Sequence, residues 1–327
     1  MIAADAAGPG APGDAPRDRR RILYLSKHFG FPLGGIRIAH HHVAMLVRNG
    51  FDARILLIDE KRDAHFDGAV PTDSMMPSFA IRPTDLVVIP EPWGSHIRQF
   101  SRYPVRRYVF CQNHFYAFHG LGDAAGYAEA GIDTVFCCSE VISDFLTTVM
   151  GLERAPIIHN AIDHAVFKPA AKRRQIAVMP RKMKIEARFI AGCFKRRYPE
   201  LAGIPWVEIE GLPEAEVAEI LGASAVFLAL GRIEGFGLPP IEAMASGCLV
   251  VGFTGDGGRS FANPQNGLWC EPEDWVGCTD LLARAVREHD ADGGRLRVDE
   301  GIRTASAFTL ERMERELVAF WQAEIAR

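Results

Sequence analysis

The sequence contains no run of about 18 apolar residues, which excludes a membrane-spanning helix. Its cysteines, Cys111, Cys137, Cys138, Cys193, Cys248, Cys270 and Cys278, form no C-x-x-C pair, so no zinc-ligand spacing is present. Their number is odd and most lie in apolar runs, which reads as reduced core thiols in a cytoplasmic protein. Neither sign of charge dominates: 37 basic and 41 acidic residues give a formal net charge of −4. That balance excludes the global basic footprint of a nucleic-acid binder. No short-period repeat is present. Residues 1–20 lack the continuous apolar stretch of a signal peptide and, rich in Ala, Gly, Pro, Asp and Arg, read as a disordered tail.

What is present is an alternation of short apolar runs with amphipathic stretches over 327 residues, room for two domains of about 150 residues each. Arg21 to Ser26 reads as a buried strand, Lys27 to Gly35 as a glycine-rich loop, Ile36 to Asn49 as a helix closed by Gly50, and Asp52 to Ile58 as the next strand. Such a unit implies a parallel sheet. Strands are expected again at 85–90, 107–111, 134–138 and 155–159, and a helix at 141–150. The second half repeats the pattern, with strands at 175–179, 205–209, 223–230 and 248–253. Its helices are expected at 184–195, 214–221, 238–246, 275–288 and 310–326. The fold class is α/β, two Rossmann-like doubly wound domains facing each other. The first covers residues 21–168 and the second 169–307, with Lys168 to Arg174 as the linker and a C-terminal helix over 308–327.

The densest segment is Gly231 to Gly247. Glu234 falls in a glycine-rich turn after a buried strand, and Glu242 in the following helix, whose first turn holds Pro239 and Pro240. Unpaired N–H groups around Phe236, Gly237 and Leu238 can bind phosphate at the helix start. Gly235 and Gly237 allow close approach of a ligand. Helical side chains lean toward the N-terminus, so Glu242 can reach back to accept from a ribose diol. The alternative is that both acids cap or solubilise the helix. His40, His41 and His42 diverge by roughly 100° each and read as a solvated or partly buried helix face. The clusters Arg98, Arg102, Arg106, Arg107 and Lys195, Arg196, Arg197 read as solvated faces, with an anionic membrane surface as the alternative.

Glu234 to Gly247 resembles the E-x7-E motif of retaining GT-B glycosyltransferases of the family 4 type, and the similarity runs along most of residues 21–285. Gly34 and Gly35 resemble that family's N-terminal glycine loop. Ile158 to Asp163, with Phe167 and Pro169, resembles the segment closing its first domain. Glu210-Gly211-Leu212 resembles the segment lining the nucleotide base, and Asn266 to Leu268 its tail strand.

The resemblance implies a donor nucleotide-diphosphate sugar held mainly by the second domain. Arg181, with Lys182 or Lys184, would bind the diphosphate; Gly211 and Leu212 the base; Glu242 the ribose. Glu234 would orient the sugar, and His114 would contact it from the first domain. A glycan, glycolipid or small-molecule acceptor would enter past Gly34 and Gly35. No metal or other cofactor is implied, since cations neutralise the leaving group. The implied location is cytoplasmic, with peripheral contact at the inner face of a membrane for a lipid acceptor. The sequence departs from the pattern at Gly231-Arg232, where Pro-Ser is usual, and at 254–260, which has no matching Glu. A non-catalytic nucleotide-sugar-binding or scaffold module, and a nucleotide-sugar epimerase, are the alternative functions.

Overall fold

The computed structural model describes residues 20–28, 34–59 and 70–327. The expected tail (apart from Arg20) and the centre of the first glycine loop lie outside these residues.

The first half forms a parallel sheet of β1 (Arg21–Ser26), β2 (Asp52–Leu57), β3 (Thr72–Ser74), β4 (Leu86–Pro90), β5 (Arg106–Cys111) and β6 (Thr134–Cys137). Its strand order is β3-β2-β1-β4-β5-β6. The second half forms another parallel sheet, ordered β11-β10-β9-β7-β8. Its strands are β7 (Arg173–Val178), β8 (Trp206–Glu208), β9 (Ser224–Glu234), β10 (Leu249–Asp256) and β11 (Leu268–Trp269). The helices of the first half are α1 (Gly34–Arg48), α2 (Gly94–Phe100), α3 (Ala117–Gly120), α4 (Ala124–Glu129) and α5 (Glu140–Thr148). Those of the second are α6 (Lys184–Arg197), α7 (Glu214–Ala223), α8 (Leu238–Ala245), α9 (Trp275–Asp292), α10 (Arg295–Ala305) and α11 (Leu310–Ala326). None is long and apolar enough to cross a membrane.

All six residues of β1 and the first seven of β9 are buried, as strands covered on both faces must be. Both sheets therefore need helices on each side, and all strands of a sheet send their C-terminal ends to one edge. Strand order reverses between β1 and β4 in the first sheet and between β7 and β9 in the second. Ligands of open α/β sheets bind outside the strand ends at such reversals.

The chain crosses between halves twice, and the crossings touch. Ile162 donates its N–H to Phe308 O at 3.2 Å, and Ile162 bridges Thr309. The strand expected at 155–159 reduces to one isolated bridge, Cys137 to Ile157, because the chain leaves the sheet here to reach the crossing. Beyond the second crossing, α11 returns to the first half. Its Trp321 is fully buried against Tyr108 (4.9 Å between ring centres) and Tyr24 (6.4 Å).

Of the cluster read as a solvated face, Arg98 and Arg102 are exposed, while Arg106 and Arg107 are half-buried. Arg106 bonds Glu324 at 2.7 Å, and Arg107 donates to the carbonyls of Gly131, Phe100 and Tyr103. Of the helix face read as solvated or partly buried, His40 and His42 are buried and His41 is half-buried. His42 stacks on Phe110 and meets Tyr24 edge-on, and burial lowers its pKa to about 3.

His159 sits at the crossing with Glu140 2.7 Å from Nε2 and Glu316 2.9 Å from Nδ1. Burial alone lowers its pKa, but the two carboxylates outweigh burial and hold it at about 9. Since this lies above the ordinary 6.5, the stabilisation is complete below pH 6.5 and is lost as pH rises through 9. A shift of that size is worth up to about 3 kcal/mol, and less here because Glu140 is half-exposed. We expect the wild-type melting temperature to fall between pH 6.5 and 9 and His159→Gln to remove most of that slope. An unchanged slope in the variant would show that the clamp carries no charge.

Candidate active site

The site is built where the two sheets' strand ends meet. In the second half, β9 does not stop at Leu230 but runs on to Glu234, so this acid closes a strand rather than sitting in a turn. Asp256 pairs with it at the end of β10, past a register shift that follows Thr254. Gly237 (φ 92°) then turns the chain into α8, whose start has no side-chain cap. Pro239 and Pro240 carry no N–H, so Gly237 and Leu238 supply the amides at this terminus. The Phe236 side chain points away into a cluster with Phe261 and Phe308.

The loop after β7, at the β7/β9 reversal, carries the basic run. Lys182 pairs with Glu234 at 3.2 Å, Arg181 beside it is exposed, and Lys184 pairs with Glu210 at 2.8 Å. Gly211 (φ 68°, exposed) and Leu212 follow and lead into α7. The structure thus brings Lys182 to Glu234 and leaves Lys184 with a different acid.

The first half closes over this edge. Gly34 and Gly35 are the first residues of α1, not a turn before it. A Cβ on Gly34 would lie 3.4 Å from Leu238 Cδ1, and Gln112 donates to Gly35 O at 3.1 Å. Asn113 donates to Ile233 O at 3.1 Å, and Ser139 to Gly235 O at 3.0 Å. The tightest contact is main chain on main chain, since a Cβ on Gly235 would lie 2.0 Å from Gln112 O. What approaches this glycine is therefore the other half of the chain and not a ligand.

His114 follows directly. It is buried, and its Nε2 lies 2.8 Å from Asp256 Oδ2. Burial lowers its pKa, a loss that the bond to Asp256 only partly offsets. Beneath it, buried Glu91 accepts the Asn113 N–H at 3.0 Å, and burial pushes this carboxyl up to about 7.

Arg37 is the second link across the cleft. It bonds Glu242 at 2.5 Å and Glu214 at 2.8 Å. Burial opposes its charge, but the two acids outweigh burial and keep the guanidinium charged. Glu242 itself is 4% exposed. Sequence reasoning missed Arg37, Glu91, Asp256 and Glu214. The available signals were a lone Arg one turn into a histidine-rich helix and an Asp inside a glycine run.

Two outcomes follow from this geometry. Gly235→Ala forces Gln112 and Gly235 apart, so we expect the halves to separate, read as a larger radius of gyration by small-angle scattering. An unchanged radius would mean that the seam yields locally. Arg37→Met leaves Glu242 buried without its cation, so we expect a loss of about 3 kcal/mol in urea unfolding. Adding Glu242→Gln should restore most of it.

Comparison with known proteins agrees with this architecture. Residues 209–294 match the family described as glycosyl transferases group 1. An alpha-1,6-glucosyltransferase of Actinobacillus pleuropneumoniae serotype 7 (strain AP76) is 30% identical over 229 residues, 68% of this chain and 69% of that protein. Among solved structures, sucrose-phosphate synthase from Thermosynechococcus elongatus is 16% identical, with a TM-score of 0.69 over 94% of this chain and 100% of that one. Anabaena HepE, in complex with UDP and glucose, is 14% identical, with a TM-score of 0.68 over 93% of this chain and 100% of that one. TarM of S. aureus is 11% identical, with a TM-score of 0.70 over 92% of this chain and 99% of that one. These likenesses show the GT-B fold.

Proposed function

Given that the chain belongs to the group 1 glycosyl transferases, we propose that it moves a sugar from a nucleotide-diphosphate sugar to a hydroxyl acceptor with retention of anomeric configuration. The observation that carries this reading is the Lys182–Glu234 pair (3.2 Å) at the β7/β9 reversal, beside the uncapped start of α8. Anion-binding groups and a sugar-orienting acid share one strand edge there.

In this reading the diphosphate lies on Arg181, Lys182 and the Gly237 and Leu238 amides. Lys182 is preferred over Lys184 because its partner is Glu234, the acid beside the start of α8, whereas Lys184 pairs with Glu210. The base rests near Gly211 and Leu212. Glu242 accepts from the ribose with the oxygen that Arg37 does not take. Glu234 orients the sugar, and His114 meets it from the first half. As the C1–oxygen bond breaks, the cations stabilise the diphosphate charge. The leaving oxygen takes the acceptor proton, and the new C1–oxygen bond forms on the same face. No metal is required, because side-chain cations supply the charge. The alpha-1,6-glucosyltransferase of Actinobacillus supports glucose as the sugar, and the UDP bound to HepE supports uracil as the base. The acceptor is a glycan, glycolipid or small metabolite, and the reaction is cytoplasmic. Exposed Arg98 and Arg102 are available for peripheral docking to a lipid acceptor.

The test is thermal shift against UDP-, GDP-, ADP- and TDP-sugars, with Glu242→Ala in parallel. That variant does not strand Arg37, which keeps Glu214. A ligand at 100 times its Kd adds about 2.7 kcal/mol to the native state. We expect saturable stabilisation by one donor, UDP-glucose first, weakened in Glu242→Ala, and an α-linked product by NMR from that α-linked donor. No shift with any donor would overturn the donor site, and an inverted product would overturn retention.

A further inference from the structure

Asp256 occupies a position that favours glycine. It lies between Gly255 (φ 66°) and Gly257, and has φ 75° and ψ −60° itself. These angles are those of the direct γ-turn, about +75° and about −65°, which is rare and strained for a residue with a side chain. Such strain persists only where the surroundings over-determine it. Here the carboxylate is what is held. Oδ2 lies 2.8 Å from His114 Nε2, and Oδ1 lies 2.6 Å from the Arg259 guanidinium. Glycine would relax the backbone and lose both contacts.

The chemistry of that contact fixes a proton. A carboxylate only accepts, so Nε2 of His114 must carry the hydrogen. Burial lowers the imidazole's pKa, which favours the neutral ring, and in the Nε2–H tautomer Nδ1 keeps its lone pair. Nδ1 is itself buried and has no hydrogen-bond partner among the described residues. Phe115 (4.4 Å) and Phe145 (5.1 Å) pack against the ring and prevent it from turning over freely. A buried acceptor without a donor is a defect in a finished core and a resource in a binding site.

We propose that Asp256 is a positioning residue: it fixes His114 as the Nε2–H tautomer, so that Nδ1 serves as a bare acceptor for a hydroxyl of the transferred sugar. The inference rests on the donor-site reading above. His114 and Asp256 belong to opposite halves, so the tautomer is set only when the halves are together. Closure therefore completes the site rather than merely covering it.

The experiment is 15N-histidine NMR of the full chain, with the His114 signal assigned by its loss in His114→Gln, together with donor kinetics. In the wild type we expect a protonated Nε2 and a bare Nδ1. Asp256→Gly relieves the positive φ, so it should melt no lower than wild type. It should lose the tautomer preference and reduce kcat about 100-fold with the donor KM little changed. Asp256→Asn can donate its amide to Nε2 and select the opposite tautomer, with a loss at least as large. A proton on Nδ1 in the wild type, or an Asp256→Gly variant with wild-type kcat, overturns the proposal. If the wild type turns over no nucleotide sugar, the donor-site reading falls. The proposed hydroxyl acceptor falls with it, while the tautomer measurement still decides whether Asp256 sets the ring.

Discussion

The main chain of Gln112 lies against that of Gly235 with no room for even a methyl group between them, and the rest of the cleft depends on this contact. Each residue sits just past the end of a buried parallel strand, so a contact there brings the active edges of two sheets together. Once it is made, Asn113 reaches Ile233, Ser139 reaches Gly235 and His114 reaches Asp256. Glu91 supports the seam from below by taking the Asn113 amide. A main-chain contact is a sound anchor because it has no rotamers to lose. The side chains around it inherit their positions.

The charges of the cleft specify the closed arrangement more than they stabilise it. Lys182 with Glu234 is half-exposed, and such pairs are worth about 0–1 kcal/mol. Arg37 with Glu242 and Glu214 is more deeply placed, but its Coulomb gain offsets a desolvation cost of similar size. Separation of the halves returns these groups to water, which compensates for the lost attraction. The apolar packing of α11 on the first sheet does not depend on closure, since Trp321 remains with Tyr24 and Tyr108. The chain thus combines a firmly packed crossing with a cleft whose two walls meet through a few matched groups, as domain closure around a substrate requires.

How much of this was legible depends on the range of the interaction. Long apolar runs such as 21–26 and 224–230 declared both sheets, because a strand buried on both faces needs no partner to be recognised. Glu234 and Glu242 were legible as a pair because one strand–helix unit carries both. Arg37 with Glu242 and His114 with Asp256 were not, since 205 and 142 residues separate the partners and nothing local marks either. Gly235 shows a third case. A glycine announces that something approaches closely, but the sequence cannot say whether it is a ligand or another stretch of chain. Short elements such as β3 and β11, of 3 and 2 residues, are too brief to show a period.

The buried polar atoms that lack a partner are informative where they coincide with the seam. His114 Nδ1 and Arg37 Nε are both of this kind, and both belong to side chains that reach across from the first half. A residue that serves only to hold two halves together gains by satisfying every donor and acceptor it buries. One that also serves a ligand must leave part of its capacity open, at a cost to the unliganded state. The strained Asp256 backbone follows the same logic, since glycine would be easier there and could not carry a carboxylate. Strain and unmet hydrogen bonding therefore meet along one line, from the end of β10 through His114. The adjacent Lys182–Glu234 pair is half-exposed and fully matched, and so costs the resting protein little.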